Sequence, residues 1–105
     1  MDIRRALPAE PDSLAALWLR SRAASVPSIP PAVHTDEEVR RWFKEIVFPS
    51  SEVWVADSGG GVSALMVLDQ EWIAQFYVDP VSAGSGIGEA LLQHAMRLRP
   101  TGLKL

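Results

Sequence analysis

The sequence predicts an α/β fold of the α+β kind, a mixed and mostly antiparallel sheet with flanking helices. Three observations carry that expectation. Three strand-like runs, Glu52–Asp57, 62–68 and Trp72–Val78, are separated only by short turns, which favour antiparallel neighbours. Two stretches of helical periodicity precede them, around Leu14 and after Thr35. A third helical stretch, 89–99, follows the glycine-rich loop Gly84, Ser85, Gly86, Ile87, Gly88.

Taken in order, residues 3–7 are short and end at Pro8, which suits a first or edge strand because proline cannot donate to a ladder. Asp12 or Ser13 is placed to cap a helix on which Leu14, Leu17 and Trp18 share a face. Residues 27–31 carry Pro27, Pro30 and Pro31 around Ser28 and Ile29, and read as a loop that shapes a substrate mouth. Thr35 and Glu38 then form a T-x-x-E capping box, with Asp36 and Glu37 in the electropositive first turn. Val39, Trp42, Phe43, Ile46 and Val47 follow at helical spacing as a core face. Ser58, Gly59, Gly60 and Gly61 supply a turn between the first two of the three runs, and Asp69, Gln70 and Glu71 the next. On the last helix Ile87, Leu91, Ala95 and Leu98 share one face, while Leu92 and Met96 extend it. Pro100, Thr101 and Gly102 make a turn, and Leu103, Lys104 and Leu105 open a further strand. That wide apolar sector beside an uncovered strand edge favours association, so a homodimer is expected, or a chain unstable alone.

At 105 residues and 48% hydrophobic, residues 1–105 are one domain with a single core and no room for a second. A formal net charge of −3 with signs interspersed argues against nucleic acid or an anionic membrane as partner. The lack of cysteine excludes a thiol nucleophile, a disulfide framework and a thiolate metal site. His34 and His94 lie far apart with no spaced ligand partner, so no metal is expected. The N-terminal residues Met1 to Arg5 lack the apolar core of a signal peptide, and no stretch approaches the roughly twenty apolar residues of a membrane span. A cytoplasmic chain is expected.

The chemistry concentrates where Gln75-Phe76-Tyr77-Val78-Asp79-Pro80 leads into the glycine loop. Alternating glycines allow backbone conformations closed to other residues, and the first turn of the following helix has unpaired N–H groups. Together they read as a phosphate cradle or as a tight strand-to-helix turn, and the order of the surrounding elements favours the cradle. The spacing G-x-G-x-G differs from the dinucleotide fingerprint, and the Gly-Lys-Ser/Thr of a P-loop is absent. The segment resembles the acetyl-CoA loop of the GNAT-family N-acetyltransferases, in which a strand ending Y-V-x-P leads into Q/R-x-x-G-x-G/A at a helix start. The resemblance extends to the order of elements upstream and to the helix after the loop. It implies a GNAT-like domain that is C-terminally incomplete, lacking the family's closing strands and helix. It implies an enzyme, an acetyl-CoA-dependent N-acetyltransferase acting on an amine of a small molecule or protein. Cofactor contacts are implied at Ala83, Gly84, Ser85, Gly86, Ile87 and Gly88 for the pyrophosphate, and at Phe76, Tyr77 and Val78 for the pantetheine arm. Ala83 stands where the family has Gln or Arg, which removes one polar partner.

Amide formation needs an unprotonated amine, a donor near the developing oxyanion and a proton for the departing thiolate. An alkyl ammonium titrates near ~10, so a base must act at neutral pH. Glu71 is the candidate catalytic carboxylate by location, and the backbone N–H near Val78 is the candidate oxyanion donor. Alternation puts Glu71, Ile73, Gln75 and Tyr77 on one face unless a bulge intervenes. The tyrosine that supplies the thiolate proton in many family members lies beyond this sequence, and Tyr77 reads as a packing residue. Asp79 before Pro80 fixes the turn into the loop. Trp18, Trp42, Trp54 and Trp72 read as core or interface aromatics, one of which is placed to line an acceptor pocket near the proline loop. Two alternatives stay open. One is a CoA-binding module without turnover, suggested by Ala83 and the missing acid; the other is a non-catalytic dimerisation or interaction fragment.

Overall fold

The computed structural model describes residues 2–24, 35–59, 61–82 and 84–104. The proline loop at 27–31, His34, Gly60, Ala83 and Leu105 lie outside the described residues. Four strands form one antiparallel sheet in the order β1 (Asp2–Arg5), β2 (Glu52–Asp57), β3 (Val62–Asp69) and β4 (Trp72–Val78). Helices α1 (Pro11–Ala24) and α2 (Asp36–Trp42) pack on one face of the sheet. A three-residue turn α3 (Phe48–Ser50) leads into β2, and α4 (Ile87–Leu98) covers the other face. Among the described residues no helix is long and apolar enough to cross a membrane.

Strand alternation builds two cores. Val53, Val55, Leu65 and Val67 turn toward α1 and α2, while Trp54, Ala56, Ala64, Met66 and Leu68 turn toward α4. β3 is buried on both faces through residues 63–68, which is why it reads as a nearly continuous apolar run. Leu14, Leu17, Phe43, Leu65, Met66 and Leu91 are fully buried, each worth about 1.5–3 kcal/mol relative to exposure.

The start of α1 differs from expectation. Asp12 and Ser13 do not cap it; the helix begins at Pro11, and the Leu14 N–H donates to the Glu10 carbonyl. Ser13 Oγ donates to that same carbonyl. Proline presets a helical φ at the first position and has no N–H to satisfy, so the start moves forward. The Glu10 carboxylate accepts from the Leu7 N–H at 2.7 Å and from the Arg4 guanidinium at 2.9 and 3.0 Å. Arg4 also reaches Asp57 at 3.1 Å, tying β1, the head of α1 and the end of β2 together.

The capping box of α2 forms as expected, with Glu38 N–H donating to Thr35 Oγ1 and Thr35 N–H to the Glu38 carboxylate, both at 3.1 Å. Its core face is narrower than the sequence suggests. Val39, Phe43 and Val47 are buried and Trp42 half-buried, but Ile46 is 56% exposed. After Trp42 the helix widens into a π-turn, Phe43–Val47, in which the Phe48 N–H donates to the Phe43 carbonyl. Pro49 accounts for the change, because it lacks an N–H and its ring displaces the carbonyl four residues back. The re-phased turn swings Ile46 outward.

In the β3–β4 ladder Val67 pairs with Gln75 and Leu68 with Ile73, leaving Ala74 as an extra residue in β4. This bulge intervenes in the expected polar track. Gln75 and Tyr77 face α1, whereas Ile73 faces α4 together with Phe76 and Val78. The expected opening of a further strand is present: Lys104 pairs parallel to Trp72. The Ile73 N–H donates to the Lys104 carbonyl and the Lys104 N–H to the Glu71 carbonyl, both at 2.8 Å.

Candidate functional site

The site grows from the free edge of β4. The Asp79 N–H donates to the Ser63 carbonyl at 2.7 Å, and Val78 pairs with Ala64. Backbone groups alternate between the two sides of an antiparallel strand, so the N–H and C=O of Val78 and Phe76 point away from β3 while those of Tyr77 point toward it. Of the three residues expected to meet a pantetheine arm, two present backbone groups to the open edge. Tyr77 packs edge-on against Trp18 at 5.9 Å, as a packing residue would.

Past Val78 the chain turns through a 3₁₀ segment, Pro80–Ser82, organised by Asp79. The Asp79 carbonyl accepts from Ser82 N–H at 2.8 Å and its carboxylate from Val81 N–H at 3.3 Å. Asp79 therefore fixes this turn, as expected. Gly84 and Gly86 have φ of 81° and 86°, the region that favours glycine, and a Cβ at either position would meet no atom within 4 Å. Gly86 is the N-cap of α4 and supplies no side-chain cap. Ala90 makes the first helical bond, back to the Gly86 carbonyl, so the N–H groups of Ile87, Gly88 and Glu89 precede the ladder. Gly88 does a different job: a Cβ there would lie 3.1 Å from Val78 Cγ2 and 3.6 Å from Phe76 Cε1. Its missing side chain lets α4 sit directly on the end of β4. An open cradle of uncapped amides beside a free strand edge fits a ligand with a phosphate end and an amide-bearing arm.

Glu71 is not brought to this cradle. It stands at the other end of β4, roughly 20 Å along the strand from Val78 at ~3.3 Å per residue, exposed and paired with Lys104 Nζ at 2.8 Å. Trp18 and Trp42 meet edge-on at 5.9 Å and line a groove of about 490 Å³ with Val39, Ile46, Glu38, Arg41 and Glu45. On the opposite face, His94 lies against Trp54 at 4.6 Å, remote from the groove. What the sequence did not reveal is the way α1 grips β4. Trp18 Nε1 donates to Gln75 Oε1 at 3.1 Å, Arg20 pairs with Asp79 at 2.9 Å, and Ser21 Oγ donates to the Val78 carbonyl at 3.0 Å. Polar residues near a helix end look like a solvated face, and no periodicity distinguishes them.

No family model matches the chain. It is 33% identical over 103 residues to the peptidyl-lysine N-acetyltransferase YjaB of Salmonella typhimurium, covering 95% of this chain and 68% of that protein. The solution structure of apo YjaB from Escherichia coli superposes with a TM-score of 0.75 at 26% identity, covering 94% of this chain and 66% of that one. The crystal structure of a predicted acetyltransferase with acetyl-CoA from Clostridium acetobutylicum shares the fold, with a TM-score of 0.65 at 20% identity over 98% of this chain and 77% of its own. The chain thus spans about two thirds of the length of the YjaB proteins it matches. On the identity to the Salmonella protein and the shared fold, the chain belongs to the GNAT family of N-acetyltransferases.

Proposed function

We propose that the chain transfers an acetyl group from acetyl-CoA to an amine, with the cradle of Gly84 to Gly88 as cofactor site. The observation that carries this reading is the uncapped N-terminus of α4 held against the free edge of β4 by Gly88. The first-turn N–H groups and the helix dipole receive the pyrophosphate. The outward backbone groups of Phe76 pair with the amide-bearing arm, and the Val78 N–H donates to the thioester oxygen as charge develops there. The amine nitrogen attacks the carbonyl carbon, the C–N bond forms, and the C–S bond breaks to release the thiolate. Glu71 was the carboxylate expected to take the amine's proton. Its distance from Val78 and its pairing with Lys104 argue against direct contact, so this reading leaves that proton to water.

The acceptor is assigned to the groove of Trp18 and Trp42, whose apolar walls suit an aliphatic stem and whose rim carries Glu38 and Glu45 for an amine, with Arg41 beside them. That the YjaB relatives are peptidyl-lysine N-acetyltransferases supports a protein lysine over a small amine. The same reading places the protein in the cytoplasm as a homodimer, without metal, nucleic acid or membrane partner. The test is calorimetric titration of acetyl-CoA into the wild-type chain and into Gly86→Asp, which puts a side chain and a negative charge where φ is 86°. Wild-type binding lost in the variant supports the reading. No binding to the wild type removes it, leaving a fragment with the family's shape and no cofactor.

A further inference from the structure

The geometry points to Ser21, seconded by Arg20, as a positioning residue that orients the Val78–Asp79 peptide for acyl transfer. The inference rests on the transferase reading above. Ser21 is 7% exposed, and its hydroxyl donates to the Val78 carbonyl at 3.0 Å. The N–H of that same peptide, on Asp79, donates to the Ser63 carbonyl at 2.7 Å. One peptide unit is therefore held at both ends, by helix α1 on one side and strand β3 on the other. Arg20 adds a hold on the Asp79 carboxylate at 2.9 Å, and that carboxylate also accepts from the Val81 N–H at the start of the loop.

The consequence is electrostatic as well as steric. On the free edge of β4 the Val78 N–H and C=O face the same way. An oxygen accepting from the N–H therefore lies near the negative end of the neighbouring carbonyl, and that repulsion grows as the oxygen gains charge. A hydroxyl donated to the carbonyl offsets its dipole at that point and keeps it from turning into the space the acyl group needs. Ser21 touches no reacting atom in this scheme. Trp18, one turn earlier on α1, lines the acceptor groove and bonds Gln75, so the helix that walls the acceptor also sets the strand end that holds the thioester.

Ser21→Ala and Ser21→Thr are compared with wild type for acetyl-CoA affinity by calorimetry, for turnover of a lysine-containing peptide at saturating acetyl-CoA, and for exchange of the Asp79 amide by NMR. The expected result is that Ser21→Ala binds acetyl-CoA within about twofold of wild type while kcat falls about tenfold, less than the loss of a direct oxyanion donor. Asp79 exchange speeds up in Ser21→Ala, and Ser21→Thr, which keeps the hydroxyl, recovers both properties. Unchanged kcat in Ser21→Ala, or an equal loss in Ser21→Thr, overturns the assignment while leaving the transferase reading intact. A wild-type chain that binds no acetyl-CoA overturns both. Should Ser21→Ala fail to fold, Ser21→Cys keeps the shape with a weaker donor and carries the same comparison.

Discussion

Gly88 shows what one residue conveys in each language. In the sequence it is the third member of an alternating glycine run, and the chemistry of the run points to a phosphate cradle. Within that run only Gly84 and Gly86 have a positive φ, while Gly88 is helical and is glycine because Val78 lies 3.1 Å from where a Cβ would be. That distance depends on how α4 lands on β4, which no local spacing encodes. Arg4 is a similar case, an ordinary first-strand residue in sequence and the hub of an ion cluster in space. Its hydrogen bonds hold the Glu10 carboxyl below the usual carboxylate range, and the Gly59 N–H followed by Arg4 does the same for Asp57. A carboxylate whose pKa drops on folding adds stability above its unfolded value, near ~4, and loses it as pH falls through the folded value. The melting temperature should therefore be nearly flat from about pH 7 to 5 and fall below ~4. Arg4→Met should flatten that acid limb in a thermal-melt series, and an unchanged limb would exclude the cluster as its cause.

At the scale of elements, helix existence was legible and helix phase was not. The Thr35–Glu38 box announced α2 because both halves of the cap are local. Ile46 was misplaced because Pro49 rewrites the hydrogen-bond register after Trp42, replacing the 3.6-residue period on which the stripe was counted. β4 repeats the lesson, since strict alternation holds only until Ala74. A bulge bends a strand and increases its twist. Deleting Ala74 would leave Ile73 and Gln75 on the faces they already occupy, joined by a regular ladder. The expected outcome is a folded chain whose melting temperature shifts by only a few degrees, on the scale of ~1 kcal/mol. Its affinity for acetyl-CoA should drop about tenfold, or ~1.4 kcal/mol, because the strand end beside the cradle loses the bend and twist that the bulge gives it. Equal affinity in calorimetry would show that the bend is unused.

For the molecule as a whole, the two-faced sheet was readable from strand runs and turns, while its partnerships are decided by what remains uncovered. Leu92 and Met96 are exposed on α4 beside half-buried Ile73 and Leu103. Contiguous apolar surface next to a free strand edge drives association. Sedimentation should show a concentration-dependent dimer that Met96→Lys converts to monomer; a monomer at all concentrations would refute the homodimer. The bridge between Lys104 and Trp72 has its own consequence for how the chain reaches this state. Every ladder among β1 to β4 is antiparallel, and the β2–β3–β4 hairpins zip up between sequence neighbours. The parallel pairing needs the whole passage through the glycine loop and α4 first. Its loop-closure entropy is repaid only after α4 has docked. In time, therefore, the glycine loop and α4 are in place before the pairing at the far end of β4 is seated, and that corner of the sheet is among the last parts of the molecule to become rigid.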